Sequence, residues 1–221
     1  MHRLVVARRR WLWGVAAAAV LVAGLVSVAL AALLFGVRIE PSFVEEAALW
    51  KYSALGQTSI LKDEEGLRHG DKIYLQFKAD RETWVYVINE DDAGHRKLLF
   101  PSRKVDLKNP LPGGLSHKLP GAGEVWPVDD QGGRESIFLV ASRSPLGEVE
   151  ALGRSQPETY PEVSKAALRE ILRGIDDPVR MEKLLDGKEV LAGLIDELER
   201  LAKQGGAAKD LWVRKFSFKK S

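Results

Sequence analysis

Residues 71–89 read DKIYLQFKADRETWVYVIN, and this stretch decides the fold class. Its first part, residues 71–78, alternates apolar with more polar side chains, which is the period of two expected of a half-buried strand. Residues 83–89 alternate aromatic or isoleucine side chains with valines. The pattern therefore predicts two neighbouring strands connected by residues 79–82.

Three more strands are predicted further along the chain. Residues 97–100 follow a Glu90–Gly94 turn and end at Pro101, and residues 135–142 are rich in Ile, Phe, Leu and Val. Residues 210–219 alternate again through three aromatic side chains. Because these aromatics would form a large apolar patch if exposed, we expect this last strand to return to the sheet.

The stretches at 109–114 and 119–123 are rich in proline and glycine and are typical of long loops. Short strands separated by frequent turns indicate a β-sandwich or an open barrel. Residues 161–204 change to helical spacing, with a stripe of leucines and one isoleucine between Leu191 and Leu201 that ends before Gly205. We therefore predict an α+β domain over residues 38–221, with a helical excursion and a returning last strand.

The N-terminal part of the chain predicts a membrane anchor. Residues 11–37 contain no charged side chain and would form a helix of about 40 Å, longer than the roughly 30 Å hydrocarbon core of a bilayer. Trp11 and Trp13 suit the headgroup region. Four arginines and no acid lie in residues 1–10, which predicts a basic cytoplasmic tail and places residues 38–221 outside the cytoplasm.

Two export signals are weighed against an uncleaved anchor. Ala29-Leu30-Ala31 would suit a signal peptidase, but the apolar run continues beyond it and is longer than that of usual signals. Arg8-Arg9-Arg10 is similar to a twin-arginine signal, although the segment is unusually apolar for that route. We therefore predict an uncleaved, single-pass signal-anchor. Small residues four apart, such as Gly14 and Ala18, leave open a homodimer through this helix.

Composition excludes several classes of function. The chain has no cysteine, which excludes disulfides, thiol nucleophiles and iron–sulfur or thiolate zinc sites. Lysine and arginine number 33 against 31 acidic residues, and four of the basic residues precede the apolar segment. The rest of the chain is slightly acidic, so its charge does not favour binding to nucleic acid.

A series of short motifs is similar to the bacterial domain-of-unknown-function family DUF4384. The motifs, in chain order, are Leu67-Arg68-His69-Gly70-Asp71-Lys72, Tyr86 to Asn89, the Glu90–Gly94 turn, Leu99-Phe100-Pro101, Asn109-Pro110-Leu111-Pro112, Leu119-Pro120-Gly121, Gly132-Gly133-Arg134-Glu135 and Ala141-Ser142-Arg143. The resemblance covers about residues 43–146 and would also take in the last strand. It implies an accessory β-rich domain of no established activity, found beside caspase-like peptidases, kinases and envelope modules.

Candidate metal and nucleophile sites are weak. Glu90, Asp91 and Asp92 could ligate Ca²⁺, but a solvated turn between strands explains them as well, and no acid twelve positions on completes a helix–loop–helix site. Residues 59–62 and 217–220 match the S-x-x-K pattern, but no K-T-G partner accompanies them. We therefore predict no metal site and no cofactor.

Histidines and aromatics provide the remaining candidates. His95 and His117 lie in or beside loops, where either would act as a general base if Asp129 or Asp130 were its partner. Trp126 and Tyr86 would form a sugar-binding platform if both were exposed, although such residues more often pack a core.

These observations predict a membrane protein of the bacterial cytoplasmic membrane whose extracytoplasmic domain binds a protein partner or senses the envelope without catalysis. The first alternative is an envelope hydrolase or carbohydrate-binding enzyme that uses His95 or His117. The second is a structural subunit that assembles through its transmembrane helix.

Overall fold

A computed structural model describes residues 42–53, 55–128, 132–155, 160–173, 197, 200 and 210–220. All of them lie in one compact unit, residues 42–221. Its strands are β1 (Val44–Tyr52), β2 (Thr58–Ile60), β3 (Glu65–Leu67), β4 (Lys72–Ala79), β5 (Trp84–Asp91), β6 (Arg96–Phe100), β7 (Ser116–Leu119), β8 (Trp126–Pro127), β9 (Gly133–Ser142) and β10 (Leu211–Lys220). Its helices are α1 (Gly147–Ser155) and α2 (Lys165–Arg173).

The strands form two five-stranded sheets. Sheet I has the order β2-β1-β4-β7, and β8 also pairs with β4. Sheet II has the order β3-β10-β9-β5-β6. All pairs are antiparallel except β3 with β10. The domain is thus mostly β-sheet with two short helices, which confirms the predicted β-rich class.

A first core fills the space between the two sheets. β4 directs Ile73, Leu75 and Phe77 into it, as the alternating pattern of residues 71–78 predicts. Sheet II contributes the matching side chains of β5, β9 and β10, among them Val87 and Leu139. The two sheets therefore pack as a sandwich.

A second core lies between the opposite face of sheet II and the helices. Tyr86 and Phe138 from the sheet pack there with Val149 of α1 and Leu168 of α2. The Tyr86 hydroxyl accepts a hydrogen bond from the Leu146 backbone N–H at 2.8 Å. Burial raises the pKa of Tyr86, and the charge of a nearby glutamate adds to the rise, so the phenol stays protonated.

The helices have recognisable N-terminal signals. Ser164 precedes α2, and its hydroxyl accepts a hydrogen bond from the Ala167 N–H at 3.2 Å. The first turn of α1 is capped by a residue of the other helix. The Glu170 carboxylate accepts the N–H groups of Gly147 and Glu148 at 2.7 and 2.6 Å. A side chain of α2 thus holds the start of α1.

Several predicted elements are confirmed, with differences. The strands predicted at 71–78, 83–89, 97–100, 135–142 and 210–219 correspond to β4, β5, β6, β9 and β10. However, β4 and β5 lie in different sheets, so residues 79–82 pass from sheet I to sheet II. The hydrogen bonds between Thr83 and Leu111 hold this crossing in place.

The helical region begins earlier than the sequence predicted. Residues 38–160 were expected to contain only strands and loops, yet α1 lies within them. The apolar residues of α1 are few, so its helical period is weak. Of the predicted 161–204 region, α2 is confirmed, and Glu197 and Arg200 are helical. The predicted stripe between Leu191 and Leu201 lies outside the described residues.

The predicted anchor, residues 11–37, also lies outside the described residues. Within the described ranges, no helix is long and apolar enough to cross a membrane.

Candidate functional site

The two candidate histidines lie on different sheets. His95, in the turn between β5 and β6, places Nδ1 3.0 Å from the Asp91 carboxylate, and its backbone N–H donates to the same side chain at 2.9 Å. His117, on β7, places Nε2 2.8 Å from the Pro112 carbonyl oxygen. Asp129 and Asp130, their proposed partners, lie outside the described residues.

The acidic turn is engaged in local contacts. Glu90 pairs with Arg96 at 2.6 Å. Burial acts to raise the pKa of Asp91, but hydrogen bonds from the backbone and ring of His95 outweigh it and keep that pKa below its usual value. Asp92 lies against the backbone of Gly133. Among the described residues, no three His, Asp or Glu side chains are grouped to hold a metal ion.

The two S-x-x-K matches belong to strands or their ends. Ser59 is exposed on β2. Ser217 is buried on β10, with its hydroxyl 3.4 Å from that of Ser136. Lys220 instead pairs with the Glu135 carboxylate at 2.5 Å. Neither match shows the serine and lysine in contact.

A cavity of about 530 Å³ lies between the loop of residues 101–109 and α1. We call it the loop–helix cavity. Two motifs of the DUF4384 resemblance flank it, because Leu99-Phe100-Pro101 leads into this loop and Asn109 begins the motif at its end. Its volume falls within the roughly 300–1,000 Å³ usual for ligand sites.

Asn109 connects this cavity to the sheet. Its amide nitrogen donates to the Val85 carbonyl oxygen at 2.8 Å, and its amide oxygen accepts the Val85 N–H at 3.0 Å. The same nitrogen donates to Glu150 of α1 at 3.0 Å. The Arg154 guanidinium lies 3.5 Å from the other oxygen of Glu150. The wall of the cavity is therefore fixed by hydrogen bonds to β5.

The closeness of loop and helix requires a glycine. A Cβ atom at position 153 would lie 2.9 Å from the Pro101 carbonyl oxygen and 3.0 Å from its ring. Gly153 therefore lets α1 approach the start of the loop. Lys104 of the loop extends over the Tyr160 ring, 4.8 Å from its centroid.

The charged side chains of the loop–helix cavity are mainly basic. Its lining includes Arg103, Lys108 and Arg154 against Asp106 and Glu150. Because Glu150 and Arg154 face each other, two basic side chains, Arg103 and Lys108, remain against one acidic side chain, Asp106, and this balance favours an anionic group.

The predicted pair Trp126 and Tyr86 is not brought together. Tyr86 belongs to the second core, whereas Trp126 belongs to the first. Trp126 instead lines a smaller cavity, about 160 Å³, with Tyr160. We call it the inter-sheet cavity, since β4 and β8 of sheet I and β5, β6, β9 and β10 of sheet II all contribute to it.

Sequence reasoning did not identify most residues of these cavities. Arg103, Lys104 and Lys108 form a basic cluster just after the Leu99-Phe100-Pro101 motif, and this signal could have pointed to the loop. Tyr160 and Glu150 have no such signal, because only the fold brings them to the cavities.

Comparison with known families confirms the resemblance over part of the chain. The family described as Domain of unknown function (DUF4384) matches residues 66–145. The match is narrower than the expected 43–146, and β1 and β10 both fall outside it. No curated protein and no solved structure matches the chain.

Proposed function

From the match of residues 66–145 to DUF4384, we propose that this chain is a single-pass membrane protein with a non-catalytic binding domain. Its N-terminus lies in the cytoplasm, residues 11–37 anchor it in the bacterial cytoplasmic membrane, and residues 38–221 lie outside. The uncharged 27-residue segment and the arginines before it support this topology.

The loop–helix cavity is the observation that supports binding. It is large enough for several side chains of a partner, and the hydrogen bonds of Asn109 keep its wall in place without a ligand. A wall fixed in advance lowers the ordering cost of association.

The partner in this proposal is a protein that presents an acidic segment. Arg103 and Lys108 of the loop outnumber Asp106 at this cavity, whereas Arg154 of α1 faces Glu150. Charge complementarity of this kind raises the association rate and suppresses binding of basic segments.

Binding is favoured over hydrolysis by the positions of the histidines. His95 faces Asp91 within its own hairpin, and His117 faces a backbone carbonyl on the other sheet. A general base must lie within hydrogen-bond reach of the proton that it removes, and neither histidine lines the loop–helix cavity or the inter-sheet cavity.

Reporter fusions test the topology. Alkaline phosphatase fused after residue 221 should be active, and a fluorescent protein that matures only in the cytoplasm should stay dark there. The same reporters fused to residue 1 should give the reverse result. A fluorescent C-terminal fusion with inactive phosphatase would overturn the topology.

Charge reversal tests the binding site. Arg103→Glu with Lys108→Glu should reduce cross-linked capture of the partner from native membranes at least tenfold. The matched control is Arg68→Glu with Lys72→Glu, which makes the same charge change on exposed residues outside the cavity. Equal capture by both double variants would contradict the assignment of the site.

A synthetic acidic peptide tests the same binding site even though the natural partner is not identified. A fluorescent decaglutamate peptide should bind the full chain in detergent at low salt, weaken as salt screens the charges, and fail to bind the Arg103/Lys108 variant. No binding by the unmodified chain would count against an acidic partner.

A tagged bait in which residues 38–221 are joined to an unrelated transmembrane anchor distinguishes this proposal from its alternative. In that alternative the chain assembles through its own transmembrane helix. Capture of the same partner by both anchors would support the β-rich domain as the binding element. Capture with the native anchor alone would move the function to residues 11–37.

A further inference from the structure

We propose that the inter-sheet cavity is a second, independent site that binds an N-acetylated sugar, with the acetamido carbonyl accepting the Trp126 indole N–H. This site shares no residue with the loop–helix cavity, so it does not depend on the function proposed above.

The size of the inter-sheet cavity limits the ligand. Its volume of about 160 Å³ is about a third of the 530 Å³ of the loop–helix cavity. This space suits an acetamido group with part of one sugar ring. It is too small to enclose a chain of sugars or a folded peptide segment.

Apolar side chains form the inner wall. Ile73 and Trp126 come from sheet I, and Leu99, Ile137 and Phe218 come from sheet II. All five are buried. The methyl group of an acetamide and the C–H face of a pyranose are both compatible with such a wall.

Trp126 provides the specific observation. Its side chain is almost fully buried, at 3% exposure, yet Nε1 finds no hydrogen-bond partner among the described residues. An indole nitrogen can only donate, and a buried donor without an acceptor destabilises the folded state. A carbonyl oxygen in the cavity would satisfy it.

Tyr160 completes the polar part of the pocket. Burial raises the pKa of its hydroxyl, the Trp126 N–H opposes part of this rise, and nearby Glu124 adds to it. The indole N–H of Trp126 therefore lies near the Tyr160 hydroxyl, but the two groups do not meet full hydrogen-bond geometry. The protonated hydroxyl can therefore both donate to and accept from a ligand.

The rim supplies an oriented acceptor. One oxygen of Glu135 accepts from Asn89 Nδ2 at 3.0 Å, and the other pairs with Lys220 at 2.5 Å. Because a carboxylate has about four lone-pair sites, two remain for sugar hydroxyls. Lys220 balances the charge of Glu135, and Lys97 also lines the cavity.

Titration by nuclear magnetic resonance tests the inference on the full chain. The chain has six tryptophans, and the indole signal of Trp126 is identified by its loss in Trp126→Phe. The detergent must lack a sugar headgroup, for example lauryldimethylamine oxide. N-acetylglucosamine should move this one signal in a saturable way, whereas glucose and glucosamine should move it at least tenfold less.

Two conservative variants separate binding from folding. Tyr160→Phe keeps the ring and removes the hydroxyl, and it should weaken N-acetylglucosamine binding about tenfold while the Trp126 signal remains visible. The matched control, Tyr52→Phe, changes an exposed tyrosine outside the cavity and should bind as the unmodified chain does. Calorimetry on Trp126→Phe should show a similar loss, with circular dichroism checking its fold.

Three outcomes would overturn the inference. The first is an unmoved Trp126 signal up to about 50 mM N-acetylglucosamine, well above the roughly 1 mM Kd expected of one sugar ring. The second is equal binding of glucose, which would remove the role of the acetamide. The third is unchanged binding in both Tyr160→Phe and Trp126→Phe.

Discussion

The two sheets of the sandwich differ in how many of their faces are covered. Sheet II packs against sheet I on one face and against both helices on the other. Sheet I contributes one face to the first core, and its other face carries half-buried and exposed side chains. The difference accounts for the sequence patterns, because residues 137–141 of β9 are continuously apolar whereas residues 71–78 alternate.

The outer face of sheet I is stabilised by contacts between side chains of neighbouring strands. The rings of Trp50 and Tyr74 are parallel within 5°, with centroids 6.0 Å apart. The Lys118 ammonium lies 4.4 Å from the Tyr74 centroid. Such pairs contribute roughly 0.2–1 kcal/mol each, much less than burial in a core.

The largest effect is expected when an aromatic residue of the second core is compared with one on the outer face of sheet I. Phe138→Ala empties a site in the second core and should lower the free energy of unfolding by about 3–5 kcal/mol. Tyr74→Ala, on the outer face of sheet I, should cost about 1 kcal/mol. Denaturant unfolding measures both, and equal losses would mean that the helices add little to sheet II.

The approach of α1 to the loop is tested at a glycine. Gly153→Ala forces the new methyl group against Pro101 and should cost about 1–2 kcal/mol, even though alanine is the better helix former. Gly66→Ala is the control, since its Cβ would meet no atom within 4 Å. If Gly153→Ala is neutral, α1 does not hold its position against the loop.

The cap between the helices should have a smaller effect. Glu170→Ala removes both hydrogen bonds to the first turn of α1 and should cost about 1 kcal/mol. Glu148→Ala makes the same charge change on an exposed residue of that turn and should cost only a few tenths of a kcal/mol. Thermal unfolding that ranks the two variants in the reverse order would contradict this role of Glu170.

The smallest expected effect concerns the ion pair that joins the two sheets at one edge. Lys51 of β1 donates to Glu65 of β3 at 2.5 Å, and this bond, with a second from the Lys62 backbone, keeps the pKa of Glu65 below its usual value. Because the folded pKa is lowered, the unfolded chain binds the proton more readily. The stabilisation is therefore present above about pH 4.5 and is lost as the pH falls through the folded value.

Lys51→Met should reduce the loss of unfolding free energy at acid pH by less than about 1 kcal/mol. Lys118→Met is the control, because Lys118 contacts a tyrosine ring rather than a carboxylate. Unfolding free energies measured at intervals between pH 6 and about pH 3 distinguish the variants. An identical slope in Lys51→Met and the unmodified chain would exclude a contribution of this pair.

The strands that sequence reasoning identified are those whose pattern reflects burial directly. β4 shows strict alternation, and β5, β9 and β10 carry dense apolar and aromatic side chains. β1 escaped detection because two glutamates and two alanines near its start weaken the alternation. β7 and β8 are short and lie among glycines and prolines, so only their pairing with β4 identifies them as strands.

The candidate sites were harder to predict than the strands, because each cavity is lined by residues that lie far apart in the chain. Trp126 packs in a core, as the sequence favoured, but its neighbour in space is Tyr160, 34 positions away, rather than Tyr86. Alternation places Tyr86 on the face of β5 that points to the helices, and the sequence pattern does not say which sheet covers which face.

What the sequence alone determined is the β-rich class, the β5–β6 hairpin, the returning last strand and the likeness to DUF4384, because each depends on local pattern or on motif order. Tertiary structure alone decided that residues 79–82 cross between sheets, that α1 is a helix, and that Glu170 caps it. It also decided where the two cavities lie. These features arise from contacts between residues far apart in the chain, and hydrophobic period carries no information about such pairs.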